Sequence, residues 1–250
     1  MYLIEKMAQS SHFFIGGSME NLKIGIVVAD IDEYKPFAAF IEKGKYESFT
    51  FLKRQGHKFT VEEDGKNAEV ISILCGIGKV NATAATMHLV DIGCNIILNF
   101  GLSGGISGIS RGEITAPDKF LEHDFDLTGT GYSLCEKPLQ EYIYFADAKL
   151  LEVAQRIISG LKLGTAVSGD HFICDDATRD SLKTNFSAMS CDMETAAIAY
   201  VCAFSSVPFL ALRRISDDAG DNATESYREM NSQDDTLLSD YLIEIIKEIL

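Results

Sequence analysis

Short apolar runs of strand length alternate along this chain with stretches of helical period, and that alternation restricts it to an α/β architecture. Lys23-Ile24-Gly25-Ile26-Val27-Val28-Ala29, Glu69 to Leu74, Asn95 to Phe100, 164–168 and Val207 to Ile215 read as buried strands. Between them lie helical patterns. One follows Asp30 or Asp32 as cap and carries Phe37, Phe40 and Ile41 on one face. A second runs from Gly78 to Gly93, with Val80, Ala84, Met87 and Asp91 on successive turns and Gly93 at the C-terminal stop. Others cover 147–160, the Met193-Ala196-Ala197-Tyr200-Val201-Phe204 repeat, and a terminal amphipathic segment from Leu237 to Ile249. Ser232 and Asp235 have the form of a capping box before that last helix. Residues 46–63 read as a hairpin turning at Gln55-Gly56. The expected fold is a three-layer sandwich: a central mixed, mostly parallel twisted sheet flanked by helices. Sites in such folds lie beyond the carboxyl ends of the strands, here 29–33, 75–79, 101–105, 168–173 and 213–219.

The chain has 250 residues and is 46% hydrophobic and 24% charged, enough for one large buried core. Residues 21–250 are expected to form a single domain. Residues 1–20 read as an extension outside it, with Met19 a second candidate start. A formal net charge of −15 excludes the basic stripe that a nucleic-acid binder needs and argues against anionic lipid. No apolar stretch is long enough to span a membrane, so a cytoplasmic protein is expected. Six scattered cysteines without a C-x-x-C pair indicate a reducing compartment and small buried hydrophobes.

Several motifs do not mature into a site. Gly76-Ile77-Gly78-Lys79 resembles a phosphate loop, but Val80 replaces the Ser or Thr and Ile73 the first glycine; a strand-to-helix turn of small residues is the better reading. Gly101-Leu102-Ser103-Gly104-Gly105 matches the serine-hydrolase elbow G-x-S-x-G. The residues after it form helix poorly, however, and no histidine follows His171. A glycine-rich turn whose backbone approaches a ligand is the alternative. His123-Asp124 and Asp126 read as a solvated turn, and Asp217-Asp218-Ala219-Gly220-Asp221 lacks calcium-loop spacing, so no metal is expected. Asp217 ends an apolar strand. Partial desolvation would suit it to a general-acid role, whereas an ion pair with Arg213 or Arg214 is its ordinary fate. Asp192 and Glu194, two residues apart at the opening of a helix, point to different faces of it.

Gly76-Ile77-Gly78-Lys79-Val80-Asn81-Ala82, Asn99-Phe100-Gly101-Leu102-Ser103-Gly104-Gly105, Ser168-Gly169-Asp170-His171-Phe172-Ile173, Asp192-Met193-Glu194-Thr195-Ala196-Ala197 and Arg213-Arg214-Ile215-Ser216-Asp217 occur in a fixed order. In order and spacing they resemble the 5′-methylthioadenosine/S-adenosylhomocysteine nucleosidases of the purine nucleoside phosphorylase superfamily. The likeness runs from about Lys23 to Tyr227. It implies that Asp217 protonates N7 of the leaving purine and that Glu33 activates the attacking water. It places Glu194 on the ribose hydroxyls, Met193 under the sugar, Phe172 on the base and the Ile173 backbone at the base edge. Arg213 would orient 192–194; Asp192, Ser103, Gly104, Ser216 and Tyr227 complete the substrate-binding set. Leu127, Tyr132 and Pro138 match a stretch that covers the 5′ group in the neighbouring subunit, which implies a homodimer. No cofactor is implied, and the ligand is a small purine nucleoside.

Protonating N7 neutralises a poor leaving group while a second carboxylate takes the water's proton, the division of labour of inverting glycosidases. A phosphorylase is the first alternative. Asn99 and Leu102, however, stand where the bacterial phosphorylases carry Arg and Ser for phosphate. Three positions depart from the nucleosidase pattern: Leu102 for serine, Asp192 for glutamate, and Thr130 for an aromatic. A serine hydrolase using Ser103 and an inactive purine-binding module are the readings from other classes.

Overall fold

The computed structural model describes residues 22–233 and 235–250; the expected N-terminal extension lies outside them. Among the described residues, eleven strands form one mixed sheet and seven α-helices flank it. The strands are β1 (Leu22–Val28), β2 (Tyr46–Phe51), β3 (Arg54–Glu63), β4 (Lys66–Leu74), β5 (Ile96–Gly105), β6 (Ile114–Thr115), β7 (Lys119–Glu122), β8 (Tyr144–Phe145), β9 (Thr165–Ser168), β10 (Ala188–Asp192) and β11 (Phe209–Asp217). The helices are α1 (Ile31–Ile41), α2 (Lys79–Asp91), α3 (Ala148–Ile157), α4 (Asp176–Phe186), α5 (Thr195–Ser205), α6 (Ala223–Asn231) and α7 (Leu237–Ile249). The central ladders β4–β1–β5–β11 are parallel, and antiparallel strands occupy the margins, as in the β2–β3–β4 meander.

Alternate residues of the central strands serve opposite faces, as strand geometry requires. Ile24, Ile26 and Val28 of β1 pack with Tyr34 and Phe37 of α1 and with Leu242, Ile245 and Ile246 of α7. Val27 packs on the other face with Ala82, Ala85 and Leu89 of α2 and Ala196 and Ile198 of α5. The three-layer expectation therefore holds.

The structure corrects several local readings. The 46–63 hairpin turns at Leu52-Lys53, whose φ values of 46° and 65° are the left-handed pair that a two-residue hairpin favours. Gly56 instead lies inside β3 opposite Phe49, where a Cβ would come within 2.3 Å of the Phe49 ring. Phe40 is 44% exposed, and the buried face of α1 is Tyr34, Phe37, Ala38 and Ile41. On α2, Val80 is 79% and Met87 49% exposed. Small residues face inward there because Leu89 closes on Gly25 of β1, whose absent Cβ leaves the room. Phe204 is exposed as well. Ser232 and Asp235 form no capping box: Ser232 ends α6, and Asp235 accepts from the Leu237 N–H. Five cysteines are buried, as expected, but Cys174 is exposed; all six are free.

The sequence 101–105 is not a turn. β5 continues through Gly105, paired to β11 on one side and to β10 on the other. That branch point places the ends of β5, β10 and β11 together.

Candidate active site

Five segments meet beyond those strand ends. Asp30 caps α1 by accepting from Asp32 N–H, which sets Glu33 in the first helical turn. Glu33 Oε1 accepts from Leu102 N–H at 2.7 Å. Gly101 is what lets it in: a Cβ there would lie 2.7 Å from Glu33 Oε2 and 2.4 Å from Arg213 Nη1. The glycine thus makes space for two side chains, a need different from the ligand approach expected. Burial pushes the Glu33 carboxyl up to about 8, against the opposing pull of Arg213.

Arg213, on β11, is fully buried. Its Nη1 donates to Leu102 O at 3.4 Å, its Nε stands 3.4 Å from Asp192 Oδ2, and its Nη2 stands 3.8 Å from Glu194 Oε2. Asp192 and Glu194 do diverge. Asp192 turns inward to accept from Ser168 Oγ, Thr195 Oγ1 and the N–H groups of Glu194 and Thr195, so it anchors the entry to α5. Glu194 crosses to α2 and accepts from Gly78 N–H at 2.9 Å. Burial is the largest influence on Glu194 and raises its pKa. The Gly76–Lys79 turn is the small-residue turn expected, with Gly78 at φ 100° presenting its N–H to that carboxylate.

Asp217 pairs with neither neighbouring arginine. Arg213 serves the two acids just described, and Arg214 pairs with Asp235. Asp217 instead accepts from Ser216 Oγ at 2.6 Å and from Ala219 N–H at 2.8 Å; burial raises its pKa. Ser216 Oγ also lies 3.2 Å from Ser103 O, tying the end of β11 to β5. A Cβ at Gly104 would stand 3.1 Å from Asp217 Oδ1.

Aromatic walls complete the cleft. Phe172 and Tyr227 meet edge-on with ring centroids 5.3 Å apart, and the Tyr227 hydroxyl donates to Asp30 Oδ2 at 3.3 Å. Ile173 is buried behind Phe172, and Met193 is half-buried between Asp192 and Glu194. Leu127 and Pro138 are half-buried and Tyr132 is exposed, all on the 123–143 segment. Among the described residues no hydrogen bond joins these three to Glu33, Glu194 or Asp217.

Ser103 lies within β5 with its Oγ buried and unpartnered, so neither the elbow nor a base of a serine hydrolase is in place. His123-Asp124 is not the solvated turn expected. His123 is half-buried, with its pKa lowered by burial, and Asp124 accepts from Lys79 Nζ and from Asp170 N–H. Lys79 also pairs with Glu122, which pairs with Lys137. Sequence reading missed this network, because its members are 40 or more residues from Lys79. Lys79 after the glycine turn and Asp124 in the expected solvated turn were its visible traces. Asp30 was seen as a cap but not as the partner of Tyr227.

Comparison with known proteins places this geometry. Residues 23–250 match the phosphorylase superfamily. A 5′-methylthioadenosine/S-adenosylhomocysteine nucleosidase of Staphylococcus carnosus is 35% identical over 190 residues, 73% of this chain and 83% of that protein. An aminodeoxyfutalosine nucleosidase of Campylobacter jejuni is 30% identical over 190 residues, 74% and 83% of the two chains. Among solved structures, a Helicobacter pylori nucleosidase mutant with 5′-methylthioadenosine in its active site superposes with a TM-score of 0.84 at 26% identity, covering 91% of this chain and 99% of that one. The chain belongs to the phosphorylase superfamily. Within it, the chain is an N-glycosyl hydrolase of the nucleosidase type.

Proposed function

We propose that this enzyme hydrolyses the N-glycosidic bond of 5′-substituted adenosines, with 5′-methylthioadenosine, S-adenosylhomocysteine and 5′-deoxyadenosine as the substrate class, and releases adenine. The observation that carries the reading is a pair of carboxyls, Glu33 and Asp217, both raised by burial and both without a direct ion pair among the described residues. Asp217 holds a proton for N7 of the departing base. Glu33 takes one from the attacking water. Glu194, steadied by Gly78 N–H and Arg213, binds the ribose hydroxyls, and Met193 packs under the sugar. Phe172 stacks on the purine, with the Ile173 backbone at its edge. Asp192 and Ser216 hold Glu194 and Asp217 in place, Ser103 and Gly104 floor the cleft, and Tyr227 closes it against Phe172. Acid and base each contribute about 10²–10⁴-fold.

Water is favoured over phosphate because the cations near Glu33 are committed to acids: Arg213 to Asp192 and Glu194, Arg214 to Asp235. The enzyme works as a homodimer in which Leu127, Tyr132 and Pro138 cover the partner's 5′ group. Exposed Val80, Met87, Leu134, Leu139 and Phe204 supply apolar surface for that contact. Residues 21–250 act as one domain.

The test is adenine release from 5′-methylthioadenosine in phosphate-free buffer. Release with free methylthioribose supports the reading. A requirement for phosphate, with a sugar-1-phosphate product, makes it a phosphorylase.

A further inference from the structure

A second cavity lies against Glu33. It has a volume of ≈ 40 Å³ and is lined by Glu33, Leu102, Arg214, Asn231, Gln233 and Asp235, among others. Neither Phe172, Met193, Glu194 nor Asp217 lines it, so it is separate from the nucleoside cleft. Its outer members, Gln233 and Asp235, are exposed. It therefore connects the buried carboxyl of Glu33 with the protein surface.

Two buried polar atoms of its lining have no hydrogen-bond partner among the described residues: Arg214 Nε and the Asn231 carboxamide oxygen. Buried polar groups are almost always hydrogen-bonded, and ordered water serves where protein does not. One is a donor and the other an acceptor, the complementary pair a water molecule satisfies. At roughly 10–15 Å³ per water on this measure, the cavity has room for a short file of them.

The proposed reaction needs such a file. When the C1′–N9 bond breaks and the C1′–O bond forms, Glu33 ends the turnover carrying the water's proton and Asp217 ends it without one. Asp217 must regain a proton from solvent and Glu33 must lose one to it, so the net reaction consumes only water. We infer that the cavity is the proton exit of Glu33, in which a water held by Asn231 and Arg214 accepts that proton and passes one of its own outward. As the Glu33 O–H bond breaks, a new O–H bond forms on the held water, and one of that water's original O–H bonds yields its proton to the next water toward Asp235. Asn231 and Arg214 are positioning residues, acting through water. The inference rests on Glu33 being the base.

The test is Asn231→Leu, which removes the acceptor at similar volume, assayed beside the unmutated enzyme. Expected are a kcat about tenfold lower with KM within twofold, a larger solvent deuterium isotope effect on kcat, and recovery of kcat with added imidazole, which carries the proton instead. An unchanged kcat, or a lowered one indifferent to both imidazole and D₂O, overturns the inference. A crystal structure of the unmutated enzyme at atomic resolution gives a readout that survives a misfolded variant. Ordered water within hydrogen-bonding distance of Asn231 Oδ1 and Arg214 Nε is expected, and a dry cavity overturns the inference. The unmutated enzyme tests the hydrolase reading by itself. Phosphate-free adenine release upholds that reading whatever the variant does, and inactivity on every 5′-substituted adenosine removes both.

Discussion

Arg213 stands between Asp192 and Glu194, with Nε 3.4 Å from Asp192 Oδ2 and Nη2 3.8 Å from Glu194 Oε2, and makes no ion pair with Asp217. That division separates the acids by role. Those beside the arginine are held in place, while burial outweighs the Ser216 and Ala219 hydrogen bonds and the more distant Arg111 charge and keeps the proton affinity of Asp217 raised.

Replacing Arg213 by Met should therefore harm more than geometry. It leaves Asp192 and Glu194 buried without their counter-charge, a cost of about 3–5 kcal/mol. Thermal unfolding should show a clear drop in Tm, and any activity that remains should show a raised KM. Unchanged Tm would mean that the arginine contributes nothing to holding the pair.

Asp217→Asn should lower kcat by about 10²-fold or more while ligand affinity measured by calorimetry stays within a few fold. Asn preserves the contact from Ala219 N–H but has no proton to give. Near-normal turnover would remove Asp217 from the acid role.

Activity should rise with pH up to about 8, because the water-activating form of Glu33 is the ionised one and burial holds its pKa there. Stability should move the other way. The folded state binds the Glu33 proton more tightly than the unfolded state does, so this group's stabilising effect is full below the ordinary value of 4.5 and is lost as pH rises toward about 8. Glu33→Gln should abolish the rise in kcat/KM. It should also stabilise the fold at pH 8 by about 2–4 kcal/mol, taking 1.36 kcal/mol per pKa unit and discounting for incomplete burial. A denaturant titration in which the variant's advantage over the unmutated enzyme is no larger at pH 8 than at pH 5 would contradict this.

Gly101→Ala should be costly for a residue that touches no substrate. Its Cβ would sit 2.4 Å from Arg213 Nη1 and 2.7 Å from Glu33 Oε2, so both must shift. A loss of about 1–3 kcal/mol of stability is expected from overpacking, with kcat down at least tenfold because Glu33 is displaced.

For the proposed homodimer, Val80→Glu with Met87→Glu should give monomers in light scattering and cut activity, since the 123–143 segment of one chain would lose its proposed place over the other's site. Both residues are exposed, so the fold itself should keep its Tm.

Much of this site was legible in the chain because it is local. An apolar run ending in polar residues marks a strand end, which is why β1, β5 and β11 and the segments beyond them were found. Asp217, Glu33, Glu194 and Phe172 were named through their likeness to one family. Propensity alone misread Gly101–Gly105 as a turn and placed Phe40 on one face with the buried Phe37 and Ile41. Glycine's absent side chain and a helix's outward face depend on what packs against them. Gly101 is a strand residue because Glu33 and Arg213 need its space, and no local rule reports that.

The sequence by itself determined the alternation of strands and helices, and with it a layered α/β fold whose functional groups collect at one edge. Only the tertiary structure decided which acid has a cation. Asp192 and Asp217 end β10 and β11 and Arg213 lies mid-strand in β11, so in sequence Arg213 is far closer to Asp217 than to Asp192. The register of β5 between β10 and β11 turns Arg213 toward the acids of the α5 N-terminus and leaves Asp217 among hydroxyl and amide donors. Side chains an even number apart on a regular strand share a face, but the register shift between Ile215 and Asp217 breaks that alternation, and the partner each side chain meets is set by pairing across more than a hundred residues, where sequence spacing carries no information.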